Sequence, residues 1–409
     1  MASSSFSPQE LRDALAHVIR GNAAGIDGVK PRELRPGPGV SERLARARCE
    51  AIVRTALRHL EEGAYHFKPV ISMKIPAGKG KVREIFVPTV QDRMVLRAGA
   101  LAVADAWDAL PGSVLGGRPG ASVAGAIKEA TAILENGPWH VLKVDVQRAF
   151  PSARPAVALD VLRGLTGRGD IIDLFEKFYA EQGERVSGLG AGIAFAPLAL
   201  AALIGIRVVP ALMNVADHVI VWFDDALVFV RDRDGVVAAE DILKGRLGSL
   251  GMSLHPQKTM TLWCDPDDGP GSPPGGIEDL RFLGWAWVAC YPIPSPVNQE
   301  RIAGQVLECV KAGAVKDAIA AMRGWAAFFK DGADWPAFGD ADIQIAEFLA
   351  EHLPGVELPE LPRLRDLIPR TTAERPKGRR AGQAAVLTDG LLDSGDPNDG
   401  DWREWAFSS

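Results

Sequence analysis

Val221-Trp222-Phe223-Asp224-Asp225-Ala226-Leu227 sets two adjacent carboxylates between apolar runs, His218-Val219-Ile220-Val221 before them and Leu227-Val228-Phe229-Val230 after. Runs this short, rich in β-branched and aromatic residues, predict strands, with the Asp pair at or near a hairpin tip. Charges beside buried strands are costly unless they are paired or bound to metal. A solvated turn explains an Asp-Asp dipeptide taken alone. However, Asp145 ends another short apolar run, Leu142-Lys143-Val144-Asp145-Val146. Three carboxylates on adjacent strand ends can hold two hard cations, which clamp the attacking and leaving oxygens of a phosphoryl transfer. Placement of all three within strand-like runs favours the metal site.

At 409 residues and 47% hydrophobic, the chain is long enough for two or three cores. No apolar run is long enough to span a bilayer, and Met1-Ala2-Ser3-Ser4-Ser5 lacks a signal-peptide pattern. Cys49, Cys264, Cys290 and Cys309 are scattered, without Cys-x-x-Cys spacing. Reduced structural thiols, a cytoplasmic location and no membrane partner are therefore expected. The net charge is −6, yet Gly63 to Arg97 carries seven Lys/Arg against two acids, a local +5. Local patches matter more than the sum for nucleic-acid binding. From Asp389 on, six Asp/Glu face a single basic residue, Arg403.

Ser7-Pro8-Gln9-Glu10 predicts a capped helix over 7–20, ending at Gly21. A turn at Gly25-Ile26-Asp27-Gly28 and a helix through Cys49 to Leu60 follow. Tyr65 to Val87 alternates like paired strands, broken by the basic turn Ala77-Gly78-Lys79-Gly80-Lys81. Helices are expected over Thr89–Trp107, from the Ser122 cap to Leu134, to Leu165, to Ala180, and from Gly188 to about Met213. Beyond the Asp-Asp hairpin come a helix over 235–250 and strands near Met260–Leu262 and Phe282–Val288 around a Pro/Gly loop at 265–276. A helical segment over Val297–Phe329 and a helix over Ile343–His352 complete the ordered part; disorder is expected from about Pro376.

The order of motifs carries more than any one of them. It runs Gly25-Ile26-Asp27-Gly28-Val29; Ile75-Pro76 with Gly80-Lys81-Val82-Arg83; Val87-Pro88-Thr89 with Asp92-Arg93; then Gly116 with Arg118-Pro119-Gly120. Asp145 with Phe150, Gly188 to Pro197, Phe223-Asp224-Asp225, Leu250-Gly251-Met252-Ser253-Leu254 with Lys258-Thr259, Phe282-Leu283-Gly284, and Met322-Arg323-Gly324-Trp325 with Phe328-Phe329 complete it. In this order, over roughly residues 20 to 332, the chain resembles bacterial reverse transcriptases of the group II intron type and their retron and phage-defence (abortive-infection-like) relatives.

The resemblance implies an α/β (α+β) right-hand polymerase. Its parts would be an N-terminal extension and fingers over 1–141, a palm over 142–294, a helical thumb over 295–355 and a tail over 356–409. It implies an RNA-directed DNA polymerase that uses dNTPs, an RNA template and a DNA or RNA primer. A non-coding RNA or a defence protein would be a further partner. Asp145, Asp224 and the Val146 carbonyl would hold two Mg²⁺, with Mn²⁺ as the alternative ion, and Asp225 would ligate or orient. Lys79, Lys81 and Arg83 would meet the triphosphate, or form a solvated basic hairpin. Arg118 would reach the nucleotide, or cap a helix C-terminus. Phe150 would exclude a 2′-hydroxyl, or belong to the core. Lys258 would protonate pyrophosphate, or hold a turn.

Four features depart from the family pattern. Trp222 stands where Tyr is usual, and bulky Phe223 where Ala or Val is usual. Ala191 replaces the Gln before Gly192, and Ala77 replaces the Lys after Ile-Pro. No nuclease or DNA-binding motif follows the thumb region. Phe223 is expected to crowd the primer terminus, or to fill space left by other changes, and Ala191 to remove polar contact with the template. Two rival readings are a polymerase with little template dependence and a non-catalytic RNA-binding scaffold subunit.

Overall fold

Ser7 opens the first helix as a capping box: its hydroxyl accepts from the Glu10 amide, and the Glu10 carboxylate accepts from the Ser7 amide at 2.7 Å. The computed structural model describes residues 6–21, 23–76, 82–265, 275–288, 290–331, 335–356 and 359–367. Helices α1 (Pro8–Val18) and α2 (Glu42–Glu61) lead into the antiparallel pair β1 (Ile71–Pro76) and β2 (Val82–Val87). The β1–β2 turn, with Lys79 and Lys81, lies outside the described residues, as do most of the 265–276 loop and the expected disorder after Pro376.

Thr89 caps α3 (Val90–Ala102) through the Asp92 amide. Ser122 likewise caps α4 (Val123–Glu135) through Gly125. Strand β3 (Trp139–Asp145) is followed by α5 (Ala149–Ser152), α6 (Pro155–Leu165) and α7 (Gly169–Gln182). The apolar stretch from Gly188 to Met213 is not one helix. Residues 188–195 form a glycine-punctuated loop, and α8 (Ala196–Arg207) gives way to α9 (Val209–Leu212). Pro210 has no amide proton to continue the helical ladder.

The central sheet holds β4 (His218–Trp222), β5 (Asp225–Val230), β3 and β6 (Met260–Cys264) in the order β4-β5-β3-β6, every neighbour antiparallel. Its two middle strands are nearly continuous apolar runs, with Val141, Leu142, Val144, Leu227, Val228 and Phe229 all buried. Helices therefore cover this sheet, α10 (Arg233–Ser249) against β3 and β5 and α4 beside β4.

Beyond it, β7 (Arg281–Phe282), β8 (Trp285–Val288) and β9 (Tyr291–Pro294) form a small antiparallel sheet. Pro292 and Pro294 hide β9 from a propensity reading, because proline is tolerated only where its missing donor is not needed, as on an edge strand. The helical segment 297–329 is two helices, α11 (Pro296–Lys311) and α12 (Val315–Phe329), parted at Gly313. Both α12 and α13 (Trp335–His352) pack on α11, and the Trp325 indole donates to the Asn298 carbonyl at 3.2 Å. Among the described residues, no helix is long and apolar enough to cross a membrane.

Candidate active site

Trp222 pairs with Asp225, so Phe223 and Asp224 are the two residues of the β4–β5 turn. Phe223 has φ +56°. A two-residue hairpin turn requires such a positive φ, and glycine adopts it most cheaply. A bulky residue there is strained, and the surrounding packing must hold it. That packing is the 113–117 segment. The Leu115 and Gly116 amides donate to the Val221 carbonyl at 2.9 and 3.2 Å, and the Val221 amide donates to Ser113 at 2.8 Å. A Cβ on Gly116 would come within 2.5 Å of the Phe223 nitrogen, and one on Gly117 within 2.9 Å of the Phe223 ring. Phe223 is 2% exposed. Its ring is therefore a packing element under this loop, as the space-filling alternative has it.

Asp145 and Asp225 are register partners on β3 and β5. Directly opposed residues project from one face with Cβ atoms about 5 Å apart, where like charges repel. A cation meets that repulsion: Lys258 Nζ lies 3.0 Å from Asp145 Oδ2, with the two side chains 25% and 13% exposed. The segment carrying Lys258 is fastened to the end of β3. The His255 amide donates to the Asp145 carbonyl and the Gln147 amide to Ser253, both at 2.8 Å. Thr259 Oγ1 lies 3.4 Å from both the amide nitrogen and the carbonyl oxygen of Asp145. Thr259 stands with Lys258 in the motif series, but its hold on the Asp145 backbone follows only from the packing.

On the other edge, the Val146 amide donates to the Asp224 carbonyl at 2.8 Å. In extended backbone the amide and carbonyl of one residue point the same way, so the Val146 carbonyl faces the hairpin turn. Carboxylates and a carbonyl are hard oxygen donors, the set that suits Mg²⁺ or Mn²⁺. Among the described residues, however, no three His, Cys, Asp or Glu side chains converge as a ready-made metal cage. Asp145, Asp224 and Asp225 share one end of the sheet, and Lys258 stands beside Asp145.

Phe150 is half-buried on α5, its ring centroid 6.4 Å from that of Phe223. The Phe150 carbonyl accepts from the Leu189 amide at 2.8 Å. Gly188 has φ +57°, and a Cβ there would overlap the Phe150 carbonyl oxygen. The same loop reaches the β1–β2 pair: the Phe86 amide donates to the Ala191 carbonyl at 2.8 Å. Ala191 is thus backbone-tied to the strand that carries Arg83, which pairs with Ile75.

Arg118 departs from the nucleotide expectation. Its guanidinium donates to the carbonyls of Val114, Leu110 and Pro111 at 2.9, 3.0 and 2.8 Å. These carbonyls belong to the turns between Trp107 and α4 and not to a helix C-terminus, so the arginine ties its own loop together. Asp92 is buried and accepts from Tyr65, Thr89 and the Lys68 amide. Burial raises its pKa above the carboxylate range, and those hydrogen bonds oppose the rise. Neighbouring Arg93 donates to the Ala23 carbonyl at 2.6 Å, and burial lowers its pKa to about 10.

A sheet with carboxylates gathered at one end, one of them on a strained hairpin turn, is the architecture of a polymerase palm. The family model described as reverse transcriptase (RNA-dependent DNA polymerase) matches residues 73–286, just over half of the chain, and the chain belongs to that family. Its fold is accordingly the α/β right-hand polymerase fold, and its family one of nucleotidyltransferases that work with divalent metal ions. Similar solved structures include telomerase from Candida albicans in complex with a TWJ fragment of telomeric RNA. That likeness has 11% identity and a TM-score of 0.42, covering 76% of this chain and 65% of that one. Apo telomerase from Candida tropicalis, truncated from the C-terminal domain, is 12% identical with a TM-score of 0.44, covering 58% and 59%. The chain thus spans less than two thirds of either. No curated protein matches it.

Proposed function

We propose that this chain is an RNA-directed DNA polymerase of the bacterial group II intron, retron or phage-defence kind. It extends a DNA or RNA primer on an RNA template with dNTPs and two Mg²⁺. The observation that carries this reading is the opposition of Asp145 and Asp225 beside the Phe223-Asp224 turn, within the segment that the family model matches. When bound, the divalent ions would supply positive charge to the phosphoryl group in transfer, with Asp145, Asp224, the Val146 carbonyl and Asp225 as their ligands or orienting groups. Phe150 lies against the incoming sugar and excludes a 2′-hydroxyl. Lys79 and Arg83 of the β1–β2 hairpin meet the triphosphate, and Ala191 lies at the template-side turn. Lys258 swings from Asp145 and gives a proton from Nζ to departing pyrophosphate. The fingers span 1–141, the palm 142–294 and the thumb 295–355, and the setting is cytoplasmic.

Primer extension with purified protein, dNTPs and Mg²⁺ or Mn²⁺ tests this reading. Asp145→Asn and Asp224→Asn should each abolish incorporation while the chain still unfolds cooperatively. Near-normal extension in both variants overturns it. Equal extension with and without added template selects the rival that needs little template.

A further inference from the structure

A cavity of about 1380 Å³ separates α3 and the 117–123 loop from α11 and α12. Leu101, Trp107, Trp325 and Phe328 give it apolar walls. Arg97 lines it from α3 as a half-buried guanidinium that makes no hydrogen bond or ion pair among the described residues. Its Nε is closed off from solvent. Burial alone lowers its pKa, so no described carboxylate stands close enough to compensate the charge.

Asn298 lines the same cavity from α11 and is 3% exposed. Its Nδ2 donates to the Gly284 carbonyl at 2.9 Å and lies 3.2 Å from Ser295 Oγ, which fixes the orientation of the amide. Its backbone is also held, the amide donating to the Ser295 carbonyl and the carbonyl accepting from Trp325. Oδ1 is left buried without a partner.

A buried donor and a buried acceptor that lack partners each destabilise the fold. These two stand on the α3 and α11 sides of one cavity, so a ligand that satisfies both must bring an anion and a donor. A ribonucleotide strand repeats both in every unit, a phosphate for the guanidinium and a 2′-hydroxyl for a lone acceptor. Base edges suit Asn298 less well. Reading them takes the donor and the acceptor of the amide together, and Nδ2 is committed to Gly284.

We propose that this cleft holds an RNA strand, with a phosphate on Arg97 and a ribose 2′-hydroxyl donating to Asn298 Oδ1. The ribose contact makes the cleft choose RNA over DNA. That the strand is the template rests on the polymerase reading; that it carries ribose does not. Because Oδ1 is closed off from solvent, entry of the strand parts the α11 wall from the α3 side.

The probes are a fluorescein-labelled oligouridylate and its 2′-deoxyuridine counterpart, titrated into the full chain in EDTA without dNTPs. The wild type should bind the ribose strand about tenfold more tightly, the worth of one hydrogen bond withheld from a buried acceptor. Arg97→Met should weaken both strands equally and reduce the slope of log affinity against log salt by about one. Its melting temperature should be unchanged or higher, because an uncompensated charge has gone. Asn298→Ala should erase the ribose preference. That change also removes the bond to Gly284, so the wild-type comparison decides alone if the variant fails to fold. Equal affinity of the wild type for the two strands overturns the ribose contact, as does a preference that persists in folded Asn298→Ala. An unchanged salt slope in Arg97→Met overturns the phosphate contact. Metal and dNTPs are absent throughout, so a failure of primer extension is a separate outcome that leaves these readings standing.

Discussion

Lys258 Nζ lies 3.0 Å from Asp145 Oδ2, at the point where Asp145 faces Asp225 across β3 and β5. The lysine thus supplies, from the same chain, positive charge of the sign that two opposed carboxylates require. Lys258→Met should lower stability in EDTA by about 1–3 kcal/mol, the range for leaving a partly buried charge without its partner. Added Mg²⁺ should restore most of that loss by replacing the missing cation. Urea denaturation with EDTA and with Mg²⁺ measures both numbers. An equal loss under the two conditions makes the lysine a turn-holding residue only.

Phe223 is buried under Gly116 and Gly117, which leaves little room for a softer substitution. Phe223→Ala should cost about 3–5 kcal/mol in urea denaturation, as for other buried rings cut to a methyl. Paired with Ala191→Gln, it should not lengthen products on a generic RNA template. Longer products from the double variant would return Phe223 to the primer terminus.

Gly188 must approach the Phe150 carbonyl more closely than any Cβ allows. Gly188→Ala should destabilise the protein by about 2–4 kcal/mol, from overpacking together with a left-handed backbone. It should also displace Phe150. A melting temperature within error of wild type would show that this loop relaxes freely.

Phe150 is half-buried, with its ring 6.4 Å from that of Phe223. Phe150→Val should let ribonucleotides compete with deoxyribonucleotides in single-nucleotide incorporation. An unchanged preference would assign the ring to the core.

Asp92 carries a pKa raised by burial. The folded state therefore holds its proton to higher pH than the unfolded chain does. The stability that this proton confers is complete below about pH 4, the ordinary carboxylate value, and is lost as pH rises through the folded pKa. Asp92→Asn has no such titration, so the gap in unfolding free energy between wild type and variant should move in the variant's favour from pH 4 to 7. A gap constant across that range would contradict the raised pKa.

Local chemistry made much of this protein legible before any coordinates. The Ser7 and Ser122 caps, the β4–β5 hairpin and the separate strand ending at Asp145 all follow from patterns a few residues long. The motif order carried the family. Local patterns do not encode which strands are neighbours, because pairing joins residues far apart in sequence. That β3 lies between β5 and β6, with Asp145 opposite Asp225 and Lys258 beside it, was settled only when the buried apolar faces of the central sheet were packed together. The same long-range packing turned Phe223 inward against Gly117 and fixed Arg118 on three carbonyls. Residue type alone left a ring free to face a primer and a guanidinium free to face a phosphate. Only the tertiary structure, by satisfying buried polar groups and filling space, decided where each one points.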